Sequence, residues 1–185
     1  MDIVETALPG VLLVTPRVFG DARGFFMETY RAETMAKAGV TDSFVQDNHS
    51  HSARGVLRGL HYQLRRPQAK LCRVVQGEVL DVAVDIRAGS PHFGKWVGVV
   101  LSGQNHHALY IPKGFAHGFM VLSESADFLY KCSDYFDPAD DCGVLWNDPA
   151  LAIDWINPSP TLSAKDERRP PLGEIPREQL PIYQP

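Results

Sequence analysis

The chain has 185 residues, of which 44% are hydrophobic, enough for one ordinary domain with a real core. Its net charge of −4 at pH 7 argues against a general nucleic-acid binder, so an anionic ligand would need a local basic pocket. No apolar run approaches the roughly 20 residues of a membrane helix. The acidic opening Met1-Asp2-Ile3-Val4-Glu5 lacks a signal-type apolar core, and the three cysteines (Cys72, Cys132, Cys142) form no C-x-x-C pair. The expectation is a soluble cytoplasmic protein with reduced thiols.

In chain order, residues 11–15 read as a first strand after the Pro9-Gly10 turn, and 24–30 as a second. Residues 31–38 are helix formers and stop at Gly39, a C′ glycine. Strands follow at 44–48 and 56–63. Residues 71–76 and 79–86 flank Gly77-Glu78, which reads as a hairpin turn. Further strands are predicted at 96–101, 108–111, 118–122 and 128–133. After Trp146-Asn147-Asp148-Pro149 the chain becomes proline-rich and is expected to wrap the domain, with one helical turn at 177–180. Fourteen prolines and fifteen glycines between short apolar runs point to an all-β sandwich or barrel, one domain over 1–185 with a tail from about residue 150.

The candidate chemistry begins with Arg58-Gly59-Leu60-His61-Tyr62-Gln63. A lone strand histidine is ordinarily a hydrogen-bonded core residue; here Lys70, His117 and Tyr130 raise its standing as a base. Side chains alternate along a strand, so Arg58 and His61 point to opposite faces. They serve one site only if Gly59 marks a bulge or the site lies at the strand's end. Lys70 is either a solvated edge lysine or a cation beside a developing enolate oxygen. Tyr130 is either an interior aromatic or a phenol that returns a proton to carbon. Asp166 is either a solvated charge or the carboxylate that orients His61. Arg23 and Arg58 suit a pyrophosphate, because guanidinium groups grip phosphate bidentately.

Two runs suggest metal instead. Pro112-Lys113-Gly114-Phe115-Ala116-His117 matches P-x-G-x-x-H, the second motif of the cupins, and His49-Ser50-His51 is an H-x-H. No glutamate follows the H-x-H at the required distance, and an open site needs three protein ligands. His106-His107 reads as a polar loop.

Several long runs in order resemble the dTDP-4-dehydrorhamnose 3,5-epimerase family of the cupin superfamily. They are Phe19-Gly20-Asp21-Ala22-Arg23-Gly24-Phe25-Phe26, Phe44-Val45-Gln46-Asp47-Asn48-His49-Ser50, Gly55-Val56-Leu57-Arg58-Gly59-Leu60-His61-Tyr62-Gln63, Ile111-Pro112-Lys113-Gly114-Phe115-Ala116-His117-Gly118-Phe119, Leu129-Tyr130-Lys131, Trp146-Asn147-Asp148-Pro149 and Leu162-Ser163-Ala164-Lys165-Asp166. The resemblance implies a double-stranded β-helix (a cupin-like jelly roll) with short peripheral helices. It also implies a homodimer without metal or other cofactor, acting on a dTDP-4-keto-6-deoxy-hexose. It makes His61 the base, Asp166 its partner, Lys70 the enolate cation and Tyr130 the acid. It places Arg23, Phe25, Glu28, Gln46, Asn48, Arg58, His117, Asp141 and Lys165 around the sugar nucleotide, with Phe136 stacking on thymine. Phe136 stands where tyrosine is common, and Asp141 where glutamate is common.

Three other readings stay open on the sequence. One is an epimerase or ketoisomerase of the same fold that acts at a single carbon. Another is a metal cupin using His49, His51 and His117. The last is a sugar-binding jelly roll without catalysis, against which His61, Lys70, Tyr130 and Asp166 together speak.

Overall fold

The computed structural model describes residues 1–184. Its strands are β1 (Asp2–Glu5), β2 (Leu12–Thr15), β3 (Val18–Asp21), β4 (Gly24–Met27), β5 (Gln46–Ala53), β6 (Leu57–Tyr62), β7 (Lys70–Gln76), β8 (Glu78–Asp85), β9 (Trp96–Ser102), β10 (Ala108–Ile111), β11 (Phe115–Val121), β12 (Ser125–Cys132) and β13 (Cys142–Gly143). The α-helix, α1, spans Ala32–Lys37. Two antiparallel sheets carry the fold, ordered β1-β2-β10-β7-β12-β5 and β13-β6-β11-β8-β9, and β3 and β4 form a separate hairpin. Strands β5 and β6, β7 and β8, β9 and β10, and β11 and β12 each cross from one sheet to the other. That winding is the jelly roll expected from the sequence.

Alternation explains the layers. On β8, Val79 and Ala83 point between the sheets and meet Val74, Phe115, Phe119 and Phe128. Leu80, Val82 and Val84 point the other way, into a second cluster with Leu151, Trp155, Leu172, Ile175 and Leu180 of the tail. Both faces of β8 are therefore buried, which is why it reads as a nearly continuous apolar run. A third cluster, with Met35 of α1, Val40, Leu71 and Tyr110, covers part of the outer face of the six-stranded sheet.

The tail adds no strand to the two sheets. Backbone bonds pin it at three places: Leu145 N–H to Pro170 O (2.8 Å), Leu57 N–H to Thr161 O (3.0 Å) and Ala88 N–H to Pro181 O (2.7 Å). Five of its apolar side chains bury on the five-stranded sheet. At about 1.5–3 kcal/mol each, their burial outweighs these few bonds in holding the segment.

One expectation is corrected. Gly77 is not a hairpin turn, because β7 and β8 lie in different sheets. A single linking residue is too short for the usual two-residue hairpin loop. At φ +79° it turns the chain at the sandwich corner, where a Cβ would fall 2.0 Å from the Ser125 carbonyl oxygen. The Glu78 N–H then donates to Ser123 Oγ (2.7 Å) rather than to β7. Strands β1, β3 and β13 lie outside the predicted elements, and β5 runs well beyond its predicted end. The helical turn near 177–180 is present as the 3₁₀ turn Arg177–Gln179.

The bulge that the site requires is also present. His117 of β11 faces His61, and Phe119 faces Arg58, so two steps on β11 match three on β6. Gly59 (φ +133°) lies inside this irregularity, and a Cβ there would come 2.5 Å from Gly118 Cα. Gly59→Ala is expected to cost at least about 2 kcal/mol in denaturant unfolding, from strain and backbone overlap together. Gly173→Ala, where an added Cβ meets nothing within 4 Å, should stay within about 0.5 kcal/mol of the parent chain.

Candidate active site

The inner faces of β5, β6, β7, β11 and β12 become polar toward one end of the sandwich. Two cavities of about 220 and 440 Å³ lie there and share His61, Lys70, Tyr130 and Lys165. The first is also lined by Gln46, Asn48, Phe136 and Asp141, and the second by Arg58, His117 and Asp166. The bulge on β6 turns both Arg58 and His61 inward while Leu57, Leu60 and Tyr62 remain in the outer core.

His61 Nε2 lies 2.6 Å from Asp166 Oδ1. The carboxylate side chain is only 4% exposed, against 27% for the imidazole. Burial works against the charge of Asp166. Bonds to it from His61, Ser163 and the Gly59 backbone prevail and hold its pKa below the usual carboxylate value. Across the cavity, on the other sheet, burial pushes the Tyr130 phenol up to about 12, so it keeps its proton at neutral pH. The Lys70 ammonium lies 6.0 Å from the centroid of the Tyr130 ring.

The polar lining is cross-braced. Arg58 donates through Nε and Nη2 to Ser52 Oγ (3.1 and 3.0 Å). Gln46 donates to Asn48 Oδ1 (3.0 Å) and accepts from the Phe136 N–H (2.9 Å), so β5 fixes the loop that carries this aromatic ring. Asp141 pairs with Lys165 and with Arg169. His117 is deeply buried, with Nε2 2.6 Å from Asp81 Oδ1 and 3.8 Å from Cys72 Sγ. Burial depresses its pKa, and Asp81 opposes that only in part. Burial also raises the Cys72 thiol well above its ordinary value, which excludes it as a free thiolate nucleophile.

Eleven of the fourteen residues singled out from the sequence thus line these cavities. Arg23, Phe25 and Glu28 do not. Arg23 sits on the β3–β4 hairpin, paired with Asp21 and 90% exposed at its side chain. Phe25 packs against the His106 ring (5.0 Å between centroids), and Glu28 pairs with Arg31. The H-x-H is placed elsewhere too. His49 and His51 point out of β5 and bond Asp127 (2.8 and 3.2 Å), away from His117, so the two metal-like motifs do not converge.

The sequence reading assigns no role to Gln63, Ser50 or Asp81. Gln63 donates to the Arg66 and Tyr135 carbonyls and accepts from the Asp137 N–H, holding the loop before Asp141. Ser50 follows from alternation with Gln46 and Asn48 once β5 is extended. Asp81 and Asp85 interrupt the otherwise apolar β8, and an acid inside a doubly buried strand is the signal that would have found them.

The sequence matches the family described as dTDP-4-dehydrorhamnose 3,5-epimerase over residues 5–174. The chain belongs to that family. It is 57% identical over 168 residues to the dTDP-4-dehydrorhamnose 3,5-epimerase of Neisseria gonorrhoeae. That alignment covers 90% of this chain, which spans about half (51%) of the relative's length. Among solved structures, the Legionella pneumophila dTDP-6-deoxy-D-glucose-3,5-epimerase in complex with dTDP-4-keto-L-rhamnose superposes with a TM-score of 0.97 at 52% identity, over 100% of this chain and 99% of that one. A 3′-monoepimerase from Streptomyces bikiniensis in complex with dTDP-quinovose gives a TM-score of 0.91 at 36% identity, covering 96% and 92% of the two chains. The frame is therefore shared by single and double epimerases of dTDP-sugars.

These two titrations contribute to the pH profile of stability. His117 has a folded pKa below the unfolded value of about 6.5, so its contribution is complete above that value and is lost as pH falls below it. The depressed Asp166 contributes above about 3.8 and is lost on further acidification. Unfolding midpoints should therefore decline from about pH 6.5 downward and again below about pH 4. His117→Gln should flatten the first decline and leave the second.

Proposed function

We propose that His61, Asp166, Lys70 and Tyr130 carry out inversion at C3 and C5 of dTDP-4-keto-6-deoxy-D-glucose, giving dTDP-4-keto-L-rhamnose. The observation that carries this reading is the placement of base and acid on opposite sheets. His61, on β6, and Tyr130, on β12, face one cavity from two sides. A base that removes a proton from one face and an acid that returns one to the other face is what inversion of configuration demands.

The C4 ketone acidifies the hydrogens on both neighbouring carbons. With Nε2 committed to Asp166, His61 takes the proton on Nδ1, and the buried carboxylate stabilises the imidazolium that forms. Negative charge collects on O4, where Lys70 supplies the counter-charge. Tyr130, protonated at neutral pH, delivers a proton to carbon. Proton transfer from a placed side chain gives about 10²–10⁴-fold. That is too little for a carbon acid, so stabilisation of the enolate must supply most of the remaining acceleration.

At the nucleotide end, Arg58 retains guanidinium donors for pyrophosphate, and the exposed face of Phe136 suits thymine. Arg23, Phe25 and Glu28 stand outside the cavities of their own chain, on an exposed hairpin that also carries Phe19 and Phe26. This arrangement supports a homodimer in which each hairpin completes the partner's site. The three free cysteines support a cytoplasmic location.

In D₂O, deuterium should enter at both C3 and C5 of the dTDP-4-keto sugar, as read by NMR. Label at one carbon only would assign the chain to the single-position epimerases. His61→Ala should lower turnover by at least about 10³-fold while melting stays near that of the parent. Tyr130→Phe should retain solvent exchange at the ring carbons longer than net inversion, and equal loss of both would remove Tyr130 as the acid.

Mixing inactive Arg23→Ala chains with inactive His61→Ala chains should restore activity. A mixed dimer then holds one site with both residues intact. No recovery after subunit exchange would refute the shared site.

A further inference from the structure

Cys72, Asp81 and His117 take no part in the proton transfers above, yet they form the most buried cluster of ligand-type side chains among the described residues. Their ligand atoms all lie within 4.8 Å of one another. They come from three strands, β7, β8 and β11, and so from both sheets. Asp81 has no exposed surface, and its Oδ2 is buried without a hydrogen-bond partner. An unsatisfied carboxylate oxygen inside a core is costly and calls for a cation or a donor. His117, the outermost of the three, lines the same cavity as His61 and Lys70, which gives an ion a route in.

We propose that these three residues form an inhibitory site for zinc(II). A thiolate, an imidazole and a carboxylate are a donor set for this borderline-soft ion, and the cavity side leaves the fourth position to water. Zinc bonds of about 2.0–2.3 Å put tetrahedral ligand atoms roughly 3.5 Å apart. The His117–Asp81 pair, at 2.6 Å, has to open by less than about 1 Å, and the His117–Cys72 pair, at 3.8 Å, has to close slightly. On binding, the Cys72 thiol releases its proton to solvent and the imidazole proton moves from Nε2 to Nδ1. The two positive charges are then met by one thiolate and one carboxylate. Zinc takes up the His117 ring nitrogen and shifts the ring on the wall of the cavity it lines, so inhibition is expected to be competitive with substrate. That last step rests on the functional reading above; the binding itself does not.

Cobalt(II) titration tests the site independently of activity. One equivalent per chain should give a near-ultraviolet thiolate-to-metal band that zinc abolishes by displacement. Cys72→Val should lose the band and, in assays, should need well over about 10-fold more zinc for half-inhibition, since even a supporting partner of a ligand is worth about 10–100-fold. EDTA should restore the activity of zinc-treated parent protein. Asp81→Asn, which keeps the side-chain shape, provides a second binding test should the valine variant pack poorly, and it should weaken cobalt binding by at least about 10-fold.

The proposal fails if no cobalt binds, or if cobalt binds without the thiolate band, as it would at His49, His51 and Asp127. It also fails if Cys72→Val keeps the parent's band, which would place the ion at another cysteine. Zinc binding at Cys72 that leaves turnover unchanged would refute the inhibitory role.

Discussion

The site depends on one extra residue in β6. In strict alternation Arg58 would face the outer core, where Leu57, Leu60 and Tyr62 pack under the tail. An unpaired guanidinium there would cost several kcal/mol. The irregularity at Gly59 separates the two demands. It leaves the apolar residues in the outer layer and turns the arginine and the histidine toward the same cavity. Gly118 completes the arrangement from β11: the backbones approach so closely that neither position has room for a side chain.

The interior of the sandwich therefore has two characters. One end is filled by Val74, Val79, Val121 and Phe128, as in any sandwich core. The other end is lined by groups that hydrogen-bond one another, with His61 held by Asp166, Arg58 by Ser52 and Gln46 by Asn48. Most of these side chains are locked by a neighbour before any ligand arrives. A reaction that stabilises charge on a substrate oxygen benefits from this, because the surrounding dipoles need not reorganise during the step.

This split explains what the sequence disclosed. Strands buried on both faces, such as β8 and β11, are legible as apolar runs between glycines and prolines. The second half of β5 is not legible because its inward residues Ser50 and Ser52 line the polar end and break the apolar alternation. β1 and β3 are largely exposed and carry little pattern. The turn at Gly77 is not legible, because a glycine that reverses a chain within one sheet and a glycine that turns a corner between two sheets look alike in sequence. Among site residues, the clustered motifs disclosed His61, Tyr130 and His117. Asp166 is open to two readings from the residues alone, and the family resemblance is what assigns it to His61, since nothing local to Ser163-Ala164-Lys165-Asp166 signals a partner 105 positions earlier.

That separation links the pairing of His61 to the tail. Every strand of both sheets is encoded before residue 144, whereas the carboxylate that orients the histidine comes from the tail. In chain order His61 on β6 therefore precedes its partner by 105 positions, and the partner lies outside both sheets. Pairing of this histidine is therefore tied to the docking of the segment that lies over the five-stranded sheet. The same segment thus does two things at once: it covers the outer face of the five-stranded sheet with Leu172, Ile175 and Leu180, and it delivers the carboxylate to His61.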